Sequence, residues 1–104
     1  MAVAQQFMMN NGGAVAPPDP NTIVSGAGSA ECDGEYVLTG TMNGRNYYVL
    51  DVDHDIIWTG DSWRIRVSGD TYYTNGDEDV TYPYLSAAWN PSSGVLPVPT
   101  VTSA

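Results

Sequence analysis

Residues 62–67 alternate cleanly. Trp63, Ile65 and Val67 fall on one face, and Ser62, Arg64 and Arg66 on the other. Strand side chains repeat every two residues, so this stretch predicts a strand with one wet side. Short runs of Tyr, Trp and β-branched residues recur from about residue 33 onward. They predict further strands over 35–42, 46–52, 56–59 and 71–74. The breaks between them are turn chemistry: Asn43-Gly44, Asp53-His54-Asp55, Gly60-Asp61 and Ser68-Gly69-Asp70. Asn-Gly is the strongest two-residue hairpin signal. Successive strands joined by tight turns predict an all-β fold, a small antiparallel meander that packs as a sandwich or a barrel-like module.

Either end of this pattern reads differently. Residues 1–28 keep neither helical nor strand periodicity. They hold Asn10-Asn11-Gly12-Gly13 and prolines at 17, 18 and 20, which favour an extended course. The expected organisation is an extended N-terminal arm over 1–28 and a compact β domain over 29–104. The arm is apolar for a solvated tail, with Phe7, Met8, Met9, Val15, Ile23 and Val24, so it reads either as an ordinary loose terminus or as a segment that docks on its own sheet, a sister subunit or a larger lattice. Beyond the strands, 75–82 is a polar loop, 84–89 a short strand or one helical turn, and 90–94 a turn. Pro97 and Pro99 restrict 95–101 to an edge strand or an extended strap.

Charge narrows the classes of partner. The chain has 104 residues, twelve Asp or Glu, three Arg and no Lys, for a net charge of −9. So few cations cannot neutralise a track of phosphates, which argues against nucleic acid. An anionic membrane surface would repel the chain, and no apolar run is long enough to span a bilayer. Cys32 is the only cysteine, so no intrachain disulfide forms. Cys32 and His54 are too few N/S ligands for a structural zinc site. The N-terminus has no basic region or clean apolar stretch of a signal peptide, and the reading expects synthesis in the cytoplasm.

Candidate chemistry is sparse. Asp51, Asp53 and Asp55 place carboxylates at the alternate positions of a calcium loop, but Ile56 and Ser62 stand where Gly and Glu are needed. They remain weak cation candidates beside the plainer reading of a solvated acidic turn. Asp77-Glu78-Asp79 reads as an exposed loop. His54, the only histidine, has no nucleophile-elbow pattern near it. No catalytic residues and no cofactor are expected. Tyr47-Tyr48 and Tyr72-Tyr73 each put one ring on the outer face of a strand. Tyr47 and Tyr73 are therefore candidates for stacking on a sugar.

Residues 25–102 resemble a small Tyr/Trp-rich β module of tailed-bacteriophage structural proteins and some bacterial surface proteins. The resemblance rests on the order of Gly26-Ala27-Gly28-Ser29, Asp33-Gly34-Glu35-Tyr36, Gly40, Asn43-Gly44-Arg45 and Tyr48. It continues through Ile56-Ile57-Trp58-Thr59-Gly60-Asp61-Ser62-Trp63-Arg64-Ile65, Tyr72-Tyr73-Thr74, Pro83, Trp89, Gly94 and Pro97-Val98-Pro99-Thr100-Val101. It implies a non-enzymatic virion protein that decorates and cements the capsid exterior. The arm residues Phe7, Met8, Met9, Val15, Ile23 and Val24 would then lie on the major capsid protein lattice, and sister copies would associate, for instance as trimers. The alternative is a tail-fibre or adhesin module that binds host-surface glycans through Tyr47 and Tyr73.

Overall fold

The computed structural model describes residues 18–104. The strands are β1 (Thr22–Ser25), β2 (Gly34–Met42), β3 (Arg45–Val49), β4 (His54–Trp58), β5 (Trp63–Val67), β6 (Asp70–Thr74), β7 (Asn90–Pro91) and β8 (Thr100–Ser103). They form one curled, half-barrel sheet in the order β7-β6-β5-β4-β3-β2-β1-β8. Every neighbouring pair is antiparallel. Two single 3-10 turns, Ala30–Cys32 and Pro83–Leu85, are the helical elements among the described residues. The expected meander is present, and it runs from β1 to β7 before β8 returns to β1.

Local chemistry explains the hairpins. Asn43 and Gly44 have φ of 55° and 83°, the paired positive values that a two-residue hairpin turn needs to match strand twist. Ser68 and Gly69 repeat this geometry at 50° and 81°. The sheet curls where its ladders slip. Register shifts at Leu38/Gly40 between β2 and β3, and at Ile65/Arg66 between β5 and β6, each add local twist.

The concave face holds the core. Tyr36, Tyr48, Ile56, Trp58, Trp63, Ile65 and Tyr73 are buried there with Val24, Cys32, Trp89 and Val101. Trp58 and Trp63 face one another across β4 and β5 with ring centroids 5.6 Å apart and tilted by 57°. Tyr48 packs on Trp63 at 6.4 Å. Such tilted aromatic pairs add to the burial of area. The alternation expected for Trp63, Ile65 and Val67 holds: the first two are fully buried and Val67 packs against them.

Three boundaries differ from the sequence reading, one of them at the expected 53–55 turn, where His54 and Asp55 already belong to β4. Residues 22–25 lie within the stretch read as an arm, yet they form β1, paired to both β2 and β8. Val24 is 1% exposed. Ile23 is half-buried in the same strand. These two residues therefore belong to the sheet and are not free arm positions. Four residues between Pro20 and Gly26 are too short to show a period, and only their pairing on both sides makes them a strand. Phe7, Met8, Met9 and Val15 lie outside the described residues. The strand expected over 46–52 stops at Val49, because the Leu50 and Asp51 amides donate to the His54 carbonyl and close a turn.

This placement of β1 is testable. Val24→Ala should lower unfolding free energy by about 2 kcal/mol, the scale of a truncated core aliphatic. The urea midpoint would fall with an unchanged slope. A change within about 0.5 kcal/mol, as for a surface site, would remove Val24 from the core.

Candidate functional site: an uncharged docking face

The polar tips of three core aromatics, Tyr36, Trp63 and Tyr73, hold loops at the ends of the sheet, whereas the Tyr48 hydroxyl and Trp89 Nε1 are buried without a partner. The Tyr73 hydroxyl accepts from the Ser29 amide at 3.0 Å and donates to the Val95 carbonyl at 2.6 Å. The Val95 amide donates in turn to Ser29 Oγ at 3.0 Å. Gly28 N–H donates to the Pro97 carbonyl at 2.8 Å. A side chain at Gly28 would collide with the Val95 and Leu96 carbonyls, so only glycine lets the two loops approach so closely. The Gly26-Ala27-Gly28-Ser29 and Pro97 segments, far apart in sequence, form one knot around Tyr73. Val95 and Leu96 leave that knot 57% and 70% exposed.

At the other end, Val80 is the anchor. Its carbonyl accepts from Trp63 Nε1 and from Arg45 Nη1, both at 2.7 Å. The Arg45 guanidinium lies 3.9 Å from the Trp58 ring centroid and pairs with Asp79 at 2.7 Å. Asn75 is fully enclosed. It accepts from the Trp63 amide at 2.8 Å and donates to the Glu78 carbonyl at 3.0 Å. These bonds aim the chain into Pro83–Leu85, which packs on β1 and β8. Between 84–89 and the strap 98–101 lies a groove of about 370 Å3. Its walls include Tyr84, Leu85, Trp89, Val98, Pro99 and Val101. Burial, then the neighbouring Tyr48, Tyr82 and Asp19, push the Tyr84 phenol up to about 12.

Charged side chains reach this region only at its margin, where Glu78 accepts from Ser86 Oγ and Asp19 neighbours Tyr84. All twelve carboxylates and all three arginines lie between Asp19 and Asp79. Residues 80–104 have no charged side chain. They supply both walls of the groove, exposed Leu85 and the Val95–Leu96 loop. Residues 80–104 thus form an uncharged stretch in a chain of net charge −9, and three of its large apolar side chains, Leu85, Val95 and Leu96, are exposed. The absence of Asp, Glu, Lys and Arg over 80–104 was visible in the sequence. Only the fold shows that 84–89 and 98–101 face one another across a groove beside β8, while 90–94 pair with β6 at the opposite edge of the sheet.

The other candidates fall into structural roles. His54 has both ring nitrogens occupied: Nδ1 is 2.6 Å from Asp51 Oδ1 and Nε2 is 3.2 Å from Glu31 Oε1. The Asp51 contact, aided by Glu31, raises its pKa. The ring works as a clamp between the β3–β4 turn and Ala30–Cys32, and it has no free nitrogen to act as a base. Asp51, Asp53 and Asp55 do not converge. Asp51 also accepts from the Asp53 and His54 amides, Asp53 accepts from Ser68 Oγ, and Asp55 holds Arg66 through two bonds of 2.8 Å. Among the described residues, no group of three His, Cys, Asp or Glu side chains is placed to hold a metal ion. Cys32 is buried, and desolvation followed by Glu31 and Asp33 pushes its thiol up to about 11, which makes it unreactive.

The two tyrosines proposed for stacking separate. Tyr73 is fully buried, opposite Ile65 on the core face. The register shift beside Ile65 moves it inward, and this corrects the expectation of an outward ring. Tyr47 does face outward, but it is half-buried, with its ring against Gly40. No protein-family model matches the sequence, and no curated protein or solved structure is significantly similar to it.

The His54 clamp gives a pH dependence with a definite sign. A pKa raised above 6.5 in the folded protein contributes stability that is fully present below 6.5 and lost as pH rises through the folded value. Asp51 is shifted the opposite way, below 3.8, chiefly by its bond to His54. Its contribution is present above 3.8 and lost as pH falls through the folded value. Urea midpoints should therefore decline as pH rises above 6.5 through the folded-state value of His54, and His54→Gln should flatten that decline. An equal decline in His54→Gln would assign the pH dependence elsewhere.

Proposed function

We propose that this chain is a non-enzymatic structural protein of a tailed-phage virion. It decorates the capsid exterior and cements adjoining capsid subunits through its N-terminal segment and its β module. The observation that supports this is the segregation of charge. Interface centres are depleted of charged residues, and exposed apolar groups on an otherwise charged surface mark contact sites. Leu85, Val95 and Leu96 stand on the uncharged side, and the acidic remainder of the module is suited to facing solvent and keeping the free protein dispersed. The resemblance of residues 25–102 to phage β modules supplies the setting. The N-terminal contribution falls to Phe7, Met8, Met9 and Val15, since Ile23 and Val24 are in the sheet. Many weak contacts on a repeating lattice add to firm attachment without any one being strong.

Immunogold labelling of intact virions with an antibody to this chain tests the reading. Dense label over heads is expected. Leu85→Glu combined with Leu96→Glu should cut head occupancy by about tenfold, because each places a charge in a contact that excludes it. Label confined to the tail tip would replace this reading with the glycan-binding one. No label on either would remove both.

A further inference from the structure

We propose that two copies of this chain pair through β8, antiparallel about a two-fold axis at Thr102. The inference goes beyond the decoration reading and does not rest on it. Three observations lead to it.

The first is the direction of the backbone groups on β8. The Ala104 amide donates to the Asn21 carbonyl at 2.9 Å, and Ser103 stands opposite Thr22. In an antiparallel ladder, hydrogen-bonded and non-hydrogen-bonded pairs alternate. Thr100, Thr102 and Ala104 therefore turn their N–H and C=O towards β1, and Val101 and Ser103 turn theirs away from the sheet. Among the described residues, none bonds to those outward groups. Pro83–Leu85 reaches both β1 and β8, which sets it over the face of the pair and not beyond the edge.

The second is self-complementarity. Val101 and Ser103 each present one outward donor and one outward acceptor, at the spacing of a ladder. Set antiparallel to a second copy, Val101 exchanges both bonds with the partner's Ser103, and the two-fold axis repeats the exchange. An open edge of this kind is a template for strand addition. Neither β1 nor β8 carries a charged side chain. Along the row through Thr102 lie Ile23 and then Glu35. Pairing puts the two Glu35 positions about five strand spacings apart, about 24 Å. That is beyond the Debye length of about 8 Å at physiological salt. A chain of net charge −9 thus meets its copy here without bringing like charges together along this row.

The third is the other edge. β7 is two residues long and contains Pro91, which has no N–H. Beyond it the Ser92 and Gly94 amides donate back to the Tyr72 carbonyl, and the Ser93 amide to that of Thr71. This edge is blunted, so β8 of one copy has no β7 ladder to join on the next, and head-to-tail growth is blocked. Self-pairing of β8 is the closed arrangement that remains. Its small area makes the dimer weak and concentration-dependent.

Sedimentation velocity of the full chain tests this, with cysteine trapping to fix the register. The chain should shift from monomer towards dimer between about 1 μM and about 1 mM. Thr102 and Thr100 are both exposed. Thr102→Glu should remove the dimer, because only there does it set two carboxylates opposite one another, and should leave the urea midpoint within the range of a surface change. Thr102→Cys and Thr100→Cys are then oxidised separately, with buried Cys32 retained. Facing Thr102 positions have Cα atoms about 4.5 Å apart, within disulfide reach, whereas the two Thr100 positions are about 14 Å apart. Cross-linked dimer should form about tenfold faster from Thr102→Cys than from Thr100→Cys. A chain that stays monomeric throughout would overturn the proposal. Equal cross-linking of the two cysteines, a dimer that survives Thr102→Glu, or a trimer would do the same. The test uses purified chain and no virion, so its failure leaves the decoration reading standing, and a loss of head labelling leaves the dimer standing.

Discussion

The structure depends on hydrogen bonds from the tips of buried aromatic rings to loop backbone. A domain of this size buries a modest fraction of its surface, so its core relies on large rings. Tyr and Trp bring a polar group with every ring, and a buried N–H or O–H without a partner is costly. Tyr36 donates to the Cys32 carbonyl at 2.7 Å, Tyr73 bridges Ser29 and Val95, and Trp63 reaches Val80. Each bond satisfies a core ring and also fixes a loop. The concave face of the sheet and the loops at its ends are therefore one cooperative unit.

This coupling places the uncharged side. Residues 80–104 contain only two short strands, β7 and β8. Their course is set by Val80 at one end and by the Tyr73 knot at the other. Without these anchors a 25-residue run so poor in regular structure would not hold Leu85, Val95 and Leu96 against solvent or form a groove with β8. Charge acts at the opposite margin. The Asp51–His54–Glu31 clamp and the part-buried, two-bond Arg66–Asp55 pair tie strand and loop together on a strongly acidic surface. Their value lies in fixing the β3–β4 turn and its neighbour.

How much of this was legible in the sequence depended on the range of the interaction. Asn43-Gly44 and the Trp63/Ile65/Val67 alternation are local signals, and both describe the structure. The class of fold followed from them. β1 was not legible, because four residues acquire their strand character from partners at 34–36 and 100–103. The inward turn of Tyr73 was hidden by a register shift, since period-two reasoning fails wherever a ladder slips. The acidic turn at 51–55 looked like one cluster, but each carboxylate is taken by a different partner in three dimensions. The candidate docking surface lay in plain sight as a missing residue class over 80–104. It gained meaning only when the fold set 84–89 against 98–101 to form a groove.

Tyr73→Phe tests the central claim most directly, because it removes one oxygen and keeps the ring. The account predicts a loss of about 1–3 kcal/mol, the cost of stranding buried partners. Amide hydrogen exchange should accelerate at Ser29 and over 94–97, while β4 and β5 keep their protection. Unchanged exchange in those loops, with stability preserved, would contradict it and leave the loops held by something other than the aromatic tips.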